Sequence, residues 1–177
     1  MQKYIALLRG INVSGRNIIK MDELRKLFEN LGFFNVKTYL QSGNVIFENK
    51  IENIKTLEHN ISKIIYEKLG LEIKIKILTT KELENIIGNN PYKNMKDFLN
   101  FYVAVLIEKL DVNIIDIEKI KSKAVQGEEF TIKNNLVYIN YPKGYGTSKL
   151  TNNYFENIFK VNVTTRNWKT MNVLLHL

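Results

Sequence analysis

The chain has 177 residues, 45% of them hydrophobic, with no cysteine, two histidines and a net charge of +8. That length and apolar content suffice for one large domain or two small ones. The missing cysteine excludes disulfides, thiol nucleophiles and thiolate-bound metals, and His59 and His176 are too far apart in the chain to make a convincing metal site or catalytic triad.

Tyr4 to Arg9 is apolar and bounded by Gly10, the pattern of a strand. A polar loop from Gly10 to Lys20 follows. Met21, Leu24, Leu27, Phe28 and Leu31 then recur at helical spacing before Gly32. Val36 to Leu40 and Val45 to Glu48 flank Gln41-Ser42-Gly43-Asn44, a hairpin. Ile54, Leu57, Ile61, Ile64, Ile65 and Leu69 make a second helical stripe ended by Gly70, and His59 falls off it. Leu71, Ile73, Ile75 and Ile77 alternate with polar residues as a half-buried strand does. The order is βαββαβ, that of a ferredoxin-like half.

Thr79-x-x-Glu82 is a capping box opening a short helix, and Gly88 to Lys93 reads as a linker. The order then repeats. Phe101 to Ile107 is a strand, and Ile114, Ile117 and Ile120 mark a helix. Glu129 to Lys133 and Leu136 to Tyr141 flank the tight turn Asn134-Asn135. Leu150, Tyr154, Phe155, Ile158 and Phe159 mark another helix. A closing strand would fall at Lys160 to Val163, and Arg166 to Leu177 reads as a terminal helix. The expected fold is α+β: two tandem ferredoxin-like halves, 1–90 and 91–177, each an antiparallel sheet covered by helices, plus a C-terminal helix.

No apolar run approaches membrane-spanning length, and the first residues lack a signal-peptide pattern, so a cytoplasmic protein without a membrane partner is expected. Lysines are scattered singly in a chain rich in Lys, Asn and Ile. Composition therefore accounts for much of the positive charge, and a nucleic-acid partner stands as the alternative.

Four polar, glycine-bearing segments are where chemistry would sit. Arg9 to Asn17 carries Gly10-x-x-x-x-Gly15, but Arg16-Asn17 stands where a P-loop needs Lys and Ser or Thr, and the helix starts late. Gln41 to Asn44 is a turn tolerant of positive φ. Tyr141 to Lys149 runs into a helix, with Thr147 or Ser148 placed to cap it and Lys149 in its first turn. Thr164-Thr165-Arg166-Asn167-Trp168 reads as a threonine cap with Arg166 in the first turn of the last helix.

The strings Ala6 to Asn12, Tyr39 to Phe47, Tyr141 to Thr151 and Thr164 to Trp168, with Met21-x-x-Leu24 and Leu31 to Phe33, resemble the bacterial family catalogued as domain of unknown function 1697. The likeness spans nearly the whole chain. It implies a duplicated α+β fold and no transferable activity. Family members usually have Gly-Gly where Ser14-Gly15 stands, and Asn where Lys169 stands. Arg9, Gly10, Asn12, Gln41, Ser42, Asn44, Ser148, Lys149, Arg166, Asn167 and Trp168 fall on its signature positions. Polar groups of this kind either tie loops together or line a site.

The expected function is binding of an anionic small ligand, a nucleotide or sugar phosphate, in a cleft between the halves, with those residues as contacts. No metal or cofactor is called for. RNA or DNA binding is the alternative, with Tyr102, Tyr138 and Tyr141 as stacking candidates, and an enzyme of undetermined class is a third reading.

Overall fold

The computed structural model describes residues 1–93 and 100–177. Strands are β1 (Gln2–Leu8), β2 (Phe34–Tyr39), β3 (Asn44–Asn49), β4 (Ile75–Thr79), β5 (Phe101–Leu106), β6 (Glu129–Lys133), β7 (Leu136–Asn140) and β8 (Val163–Asn167). Helices are α1 (Met21–Asn30), α2 (Ile54–Leu69), α3 (Thr80–Gly88), α4 (Ile117–Lys121), α5 (Asn152–Phe159) and α6 (Trp168–His176). The protein is α+β, with two four-stranded antiparallel sheets and these helices. Two compact units form: Met1–Gly88 together with Val173–Leu177, and Asn89–Asn172.

In unit 1 the strand order is β2-β3-β1-β4. The apolar stripe of α1 buries Leu24, Leu27 and Phe28, and that of α2 buries Leu57, Ile61 and Ile65. Both pack on the sheet face presented by Tyr4, Ala6, Leu8, Val45 and Phe47. Phe47 is the aromatic hub, stacked on Phe33 at 4.5 Å and on Tyr4 at 5.5 Å. Helix α2 starts where the Asn53 side chain accepts from Lys55 and Thr56 N–H. It stops at Gly70, which takes the left-handed cap conformation at φ 67°. The Thr79–Glu82 capping box forms in both directions.

Unit 2 repeats the order as β6-β7-β5-β8. Its core joins Ala104, Leu106, Val137 and Ile139 to Phe155 and Phe159 of α5. Two strand-end hydrogen bonds recur at matching places. Leu8 N–H donates to the Gly43 carbonyl and Leu106 N–H to that of Asn135; Arg9 N–H donates to the Lys74 carbonyl and Ile107 N–H to that of Asn162.

The closing strand differs from expectation. It is Val163–Asn167 rather than Lys160 to Val163, and it pairs antiparallel with β5. Thr164, Thr165 and Arg166 therefore lie in a strand, not in a helix cap and first turn. The cap of α6 is Asn167, whose side-chain oxygen accepts from Thr170 N–H at 2.7 Å. Strand β4 also starts later than the alternation implies, at Ile75.

Carboxylates close the outer edges at β4 and β8. Arg9 pairs with Lys74, so the N–H groups of Ile77 and Thr79 point away from β1. Glu58 of α2 accepts the first at 3.0 Å and Glu82 the second at 2.7 Å. Glu156 of α5 accepts the outward Val163 N–H at 2.8 Å. An edge so plugged offers a stray strand fewer donors.

Candidate functional site

Within each unit the motif segments cluster at one end of the sheet. In unit 1 the Arg9–Asn17 loop and the Gln41–Asn44 turn meet. Asn12 is the tie: its side chain donates to the carbonyls of Ile19 and Gln41 and accepts from Ile19 N–H, all at 2.8–2.9 Å. Its φ of 54° is left-handed, which Asn tolerates better than most residues. Asn17 donates to the Gly10 carbonyl, and buried Asn44 to the Tyr39 carbonyl and the Ser42 hydroxyl. Arg9 is half-buried and engaged within the protein.

A groove of about 900 Å³ opens beside this tie. Lys20, Lys26 and Lys68, with Gln41, line it, as do Asp22 and Glu23. It runs along the start of α1, where the N-cap residue Lys20 gives no side-chain hydrogen bond. The first-turn N–H groups thus lack the acceptor that Asn53 supplies to α2 and Thr151 to α5.

In unit 2 the Tyr141–Thr151 loop and the end of β8 meet through hydrogen-bonded Thr165 and Asn152 side chains. The cap of α5 is Thr151, not Thr147 or Ser148. Thr147 bonds back to the Lys143 and Gly144 carbonyls, and Ser148 accepts from Leu150 N–H. Lys149 therefore precedes the helix instead of sitting in its first turn; it is exposed and free of hydrogen bonds or ion pairs among the described residues. Arg166 is buried and donates to the Thr164 hydroxyl and the Thr165 carbonyl. Burial pushes its pKa down to about 10, so it stays a cation at neutral pH. Trp168 is buried, and its carbonyl accepts from Asn172.

The family model described as "Protein of unknown function (DUF1697)" matches residues 1–138. The chain belongs to this family. A solved structure, that of conserved bacterial protein SP0830 from Streptococcus pneumoniae, is 25% identical, covering 99% of this chain and 97% of its own, with a TM-score of 0.77. A curated relative, the MATH and LRR domain-containing protein PFE0570w of Plasmodium falciparum, is 29% identical over 119 residues. The match takes in 62% of this chain and about 1% of that protein's length.

The DUF1697 match contains the Asn12–Gln41 tie and ends before the Tyr141 and Thr164 strings. The tyrosines of this DUF1697 chain are poorly placed to stack on bases. Tyr138 and Tyr141 are buried, the Tyr141 hydroxyl donates to the Leu150 carbonyl, and half-buried Tyr102 stacks on Tyr145 at 5.4 Å. Burial raises the pKa of both buried tyrosines, that of Tyr138 to about 12. An unfolded tyrosine ionises near pH 10. Between those values the unfolded chain binds fewer protons than the folded one, so stability is full below about pH 10 and falls as pH rises toward 12. Urea melts across that window should show a shallower decline for Tyr138→Phe than for the parent; equal slopes would refute it. Among the described residues no three His, Asp or Glu side chains gather as metal ligands, and no helix is long and apolar enough to cross a membrane.

Proposed function

We propose that the protein binds an anionic small molecule, a nucleotide or sugar phosphate, in the unit 1 groove. The observation that carries this is the first turn of α1. Its N–H groups have no side-chain cap among the described residues, and its first-turn residues line a groove that also carries three lysines and Gln41. Backbone donors, the positive helix end and mobile ammonium groups together suit a phosphate. Asp22 and Glu23 line the same groove and compete for those positive groups, which favours a ligand that is bound reversibly over one that is sequestered.

On this reading the signature residues divide their work. Gln41 touches the ligand, while Gly10, Asn12, Ser42 and Asn44 hold its turn in place. Lys149 supplies an exposed cation in unit 2 to an anionic partner, while Ser148, Asn167 and Trp168 order the loops around it. Each unit is a ferredoxin-like βαββαβ module; support comes from the shared order 2-3-1-4 and the matching strand-end hydrogen bonds.

Calorimetric titration of the full chain with inorganic phosphate, a sugar phosphate and a nucleoside monophosphate tests the reading. Lys26→Ala with Lys68→Ala should weaken binding about tenfold or more, since each charge-assisted hydrogen bond is worth about 1.5–3 kcal/mol. Asp22→Asn should tighten it, and added salt should weaken it. No heat with any of the three at low salt, or indifference to the lysines, would refute the assignment.

A further inference from the structure

Each sheet has two outer edges, and the four are treated differently. Those at β4 and β8 are plugged by glutamates. At β2 a bulge between Phe34 and Lys37 breaks the register. Strand β6 is regular along its whole length and has no such device among the described residues. Its hydrogen-bonding direction follows from its neighbours. Leu106 N–H donates to Asn135 and Tyr141 N–H to Asn100, so the odd-numbered residues of β7 face β5 and its even-numbered ones face β6. Glu129, Thr131 and Lys133 then bond inward to Asn140, Tyr138 and Leu136. The backbone groups of Phe130 and Ile132 point out of the sheet and have no hydrogen-bond partner among the described residues.

The sequence of this edge is self-complementary. We propose that β6 pairs antiparallel with β6 of a second copy about a two-fold axis through Thr131, joining the two four-stranded sheets. In that register Phe130 lies opposite Ile132 of the other copy, and each such pair exchanges two backbone hydrogen bonds, the arrangement the outward groups require. Glu129 lies opposite Lys133, twice over. Both side chains are exposed, and neither makes an ion pair among the described residues; Lys133 reaches only the Asn89 amide. Opposite charges facing each other across an antiparallel pair favour it, and like charges disfavour it. A slip by two residues would lose both charge pairs, so the charges also fix the register.

A groove of about 450 Å³ runs beside the same edge, between α4 and β6; Ile117, Ala124, Phe130 and Ile132 give its apolar lining, and Lys121, Glu128, Glu129 and Thr131 its polar part. Val112 and Ile114 stay exposed on the segment leading into α4, as does Ile117 at its start. A second copy seated along β6 would cover apolar surface as well as satisfy the edge.

Sedimentation velocity of the full chain over a concentration series tests the pairing, beside Glu129→Lys, Lys133→Glu and the double swap. The parent is expected to show a monomer–dimer equilibrium. Each single reversal sets like charges opposite each other at two places and should raise the dimer dissociation constant about tenfold or more. The double variant restores both opposite-charge pairs and should return the constant to near the parent value. Both positions are exposed, so circular dichroism should show unchanged folding in all three. A parent that stays monomeric to the highest soluble concentration overturns the proposal. So does a dimer indifferent to the single reversals, or one that the double swap fails to restore.

Discussion

Gly43→Ala is expected to destabilise the protein by about 3–5 kcal/mol and to lower its melting temperature by about 10 °C or more. Two effects add. Gly43 has φ 75°, a conformation that costs an alanine about 1 kcal/mol. A Cβ built there would also stand 2.6 Å from Ile11 Cδ1 and 2.9 Å from Leu8 Cβ. Ile11 is itself buried and the Leu8 Cβ is fixed to a buried strand, so the turn itself must move. Overpacking of this kind costs about 1–3 kcal/mol, and a moved turn would strain the Leu8 N–H bond to the Gly43 carbonyl, worth about 1 kcal/mol more. Gly10→Ala is the matched control. It has φ 67° and nothing within 4 Å of the added carbon, so it should cost about 1 kcal/mol from conformation alone. Thermal melts that fail to separate the two variants would show that the steric term is absent.

Both helix stripes of unit 1 and the Asn134-Asn135 turn could be read from the chain because each is local: spacing of 3.6 residues, a left-handed residue between two strands, a glycine stop. Strand β8 was hidden for the opposite reason. Its residues Val163, Thr164 and Arg166 are buried on both faces of the sheet, so no period-two pattern survives. The left-handed stop before it is Lys160, at φ 57°, where no glycine marks it. Helix α6 follows with no intervening loop, so Thr164-Thr165 looked like its cap and Arg166 like part of its first turn. In β4 the alternation from Leu71 to Ile77 ran on because Leu71 is half-buried and Ile73 buried, although the strand itself starts only at Ile75.

The motifs likewise announced polar residues without announcing their partners. Asn12 reaches carbonyls 7 and 29 positions away, and only folding shows that its side chain is spent on holding two loops together. The groove residues Lys20, Lys26 and Lys68 carried no motif at all. They come together because the start of α1 meets the end of α2 there.

The residue most easily passed over is Glu58, which stands beside Leu57 in an apolar stripe and is nearly buried. Glu58→Ala is expected to cost about 2–4 kcal/mol. Its Oε1 accepts from Ile77 N–H at 3.0 Å, and its Oε2 from Lys55 Nζ at 2.7 Å. Ile77 is fully buried, so truncation leaves a backbone donor with no acceptor, a penalty of about 1–3 kcal/mol. Lost packing at a nearly buried position adds to that. Glu58→Gln keeps an oxygen for Ile77 and loses only the charge, so it should cost about 1 kcal/mol. Hydrogen exchange separates the edge from the rest of the core: in Glu58→Ala the Ile77 amide should exchange far faster, while the Ala6 amide, on the central strand, slows or quickens only with global stability. If Ile77 and Ala6 change together, the carboxylate acts on the fold as a whole and does not serve as the stopper of β4. If Ile77 alone opens, closing this edge is the work of one side chain, and the β6 edge, without such a side chain among the described residues, stands apart as the surface proposed for pairing.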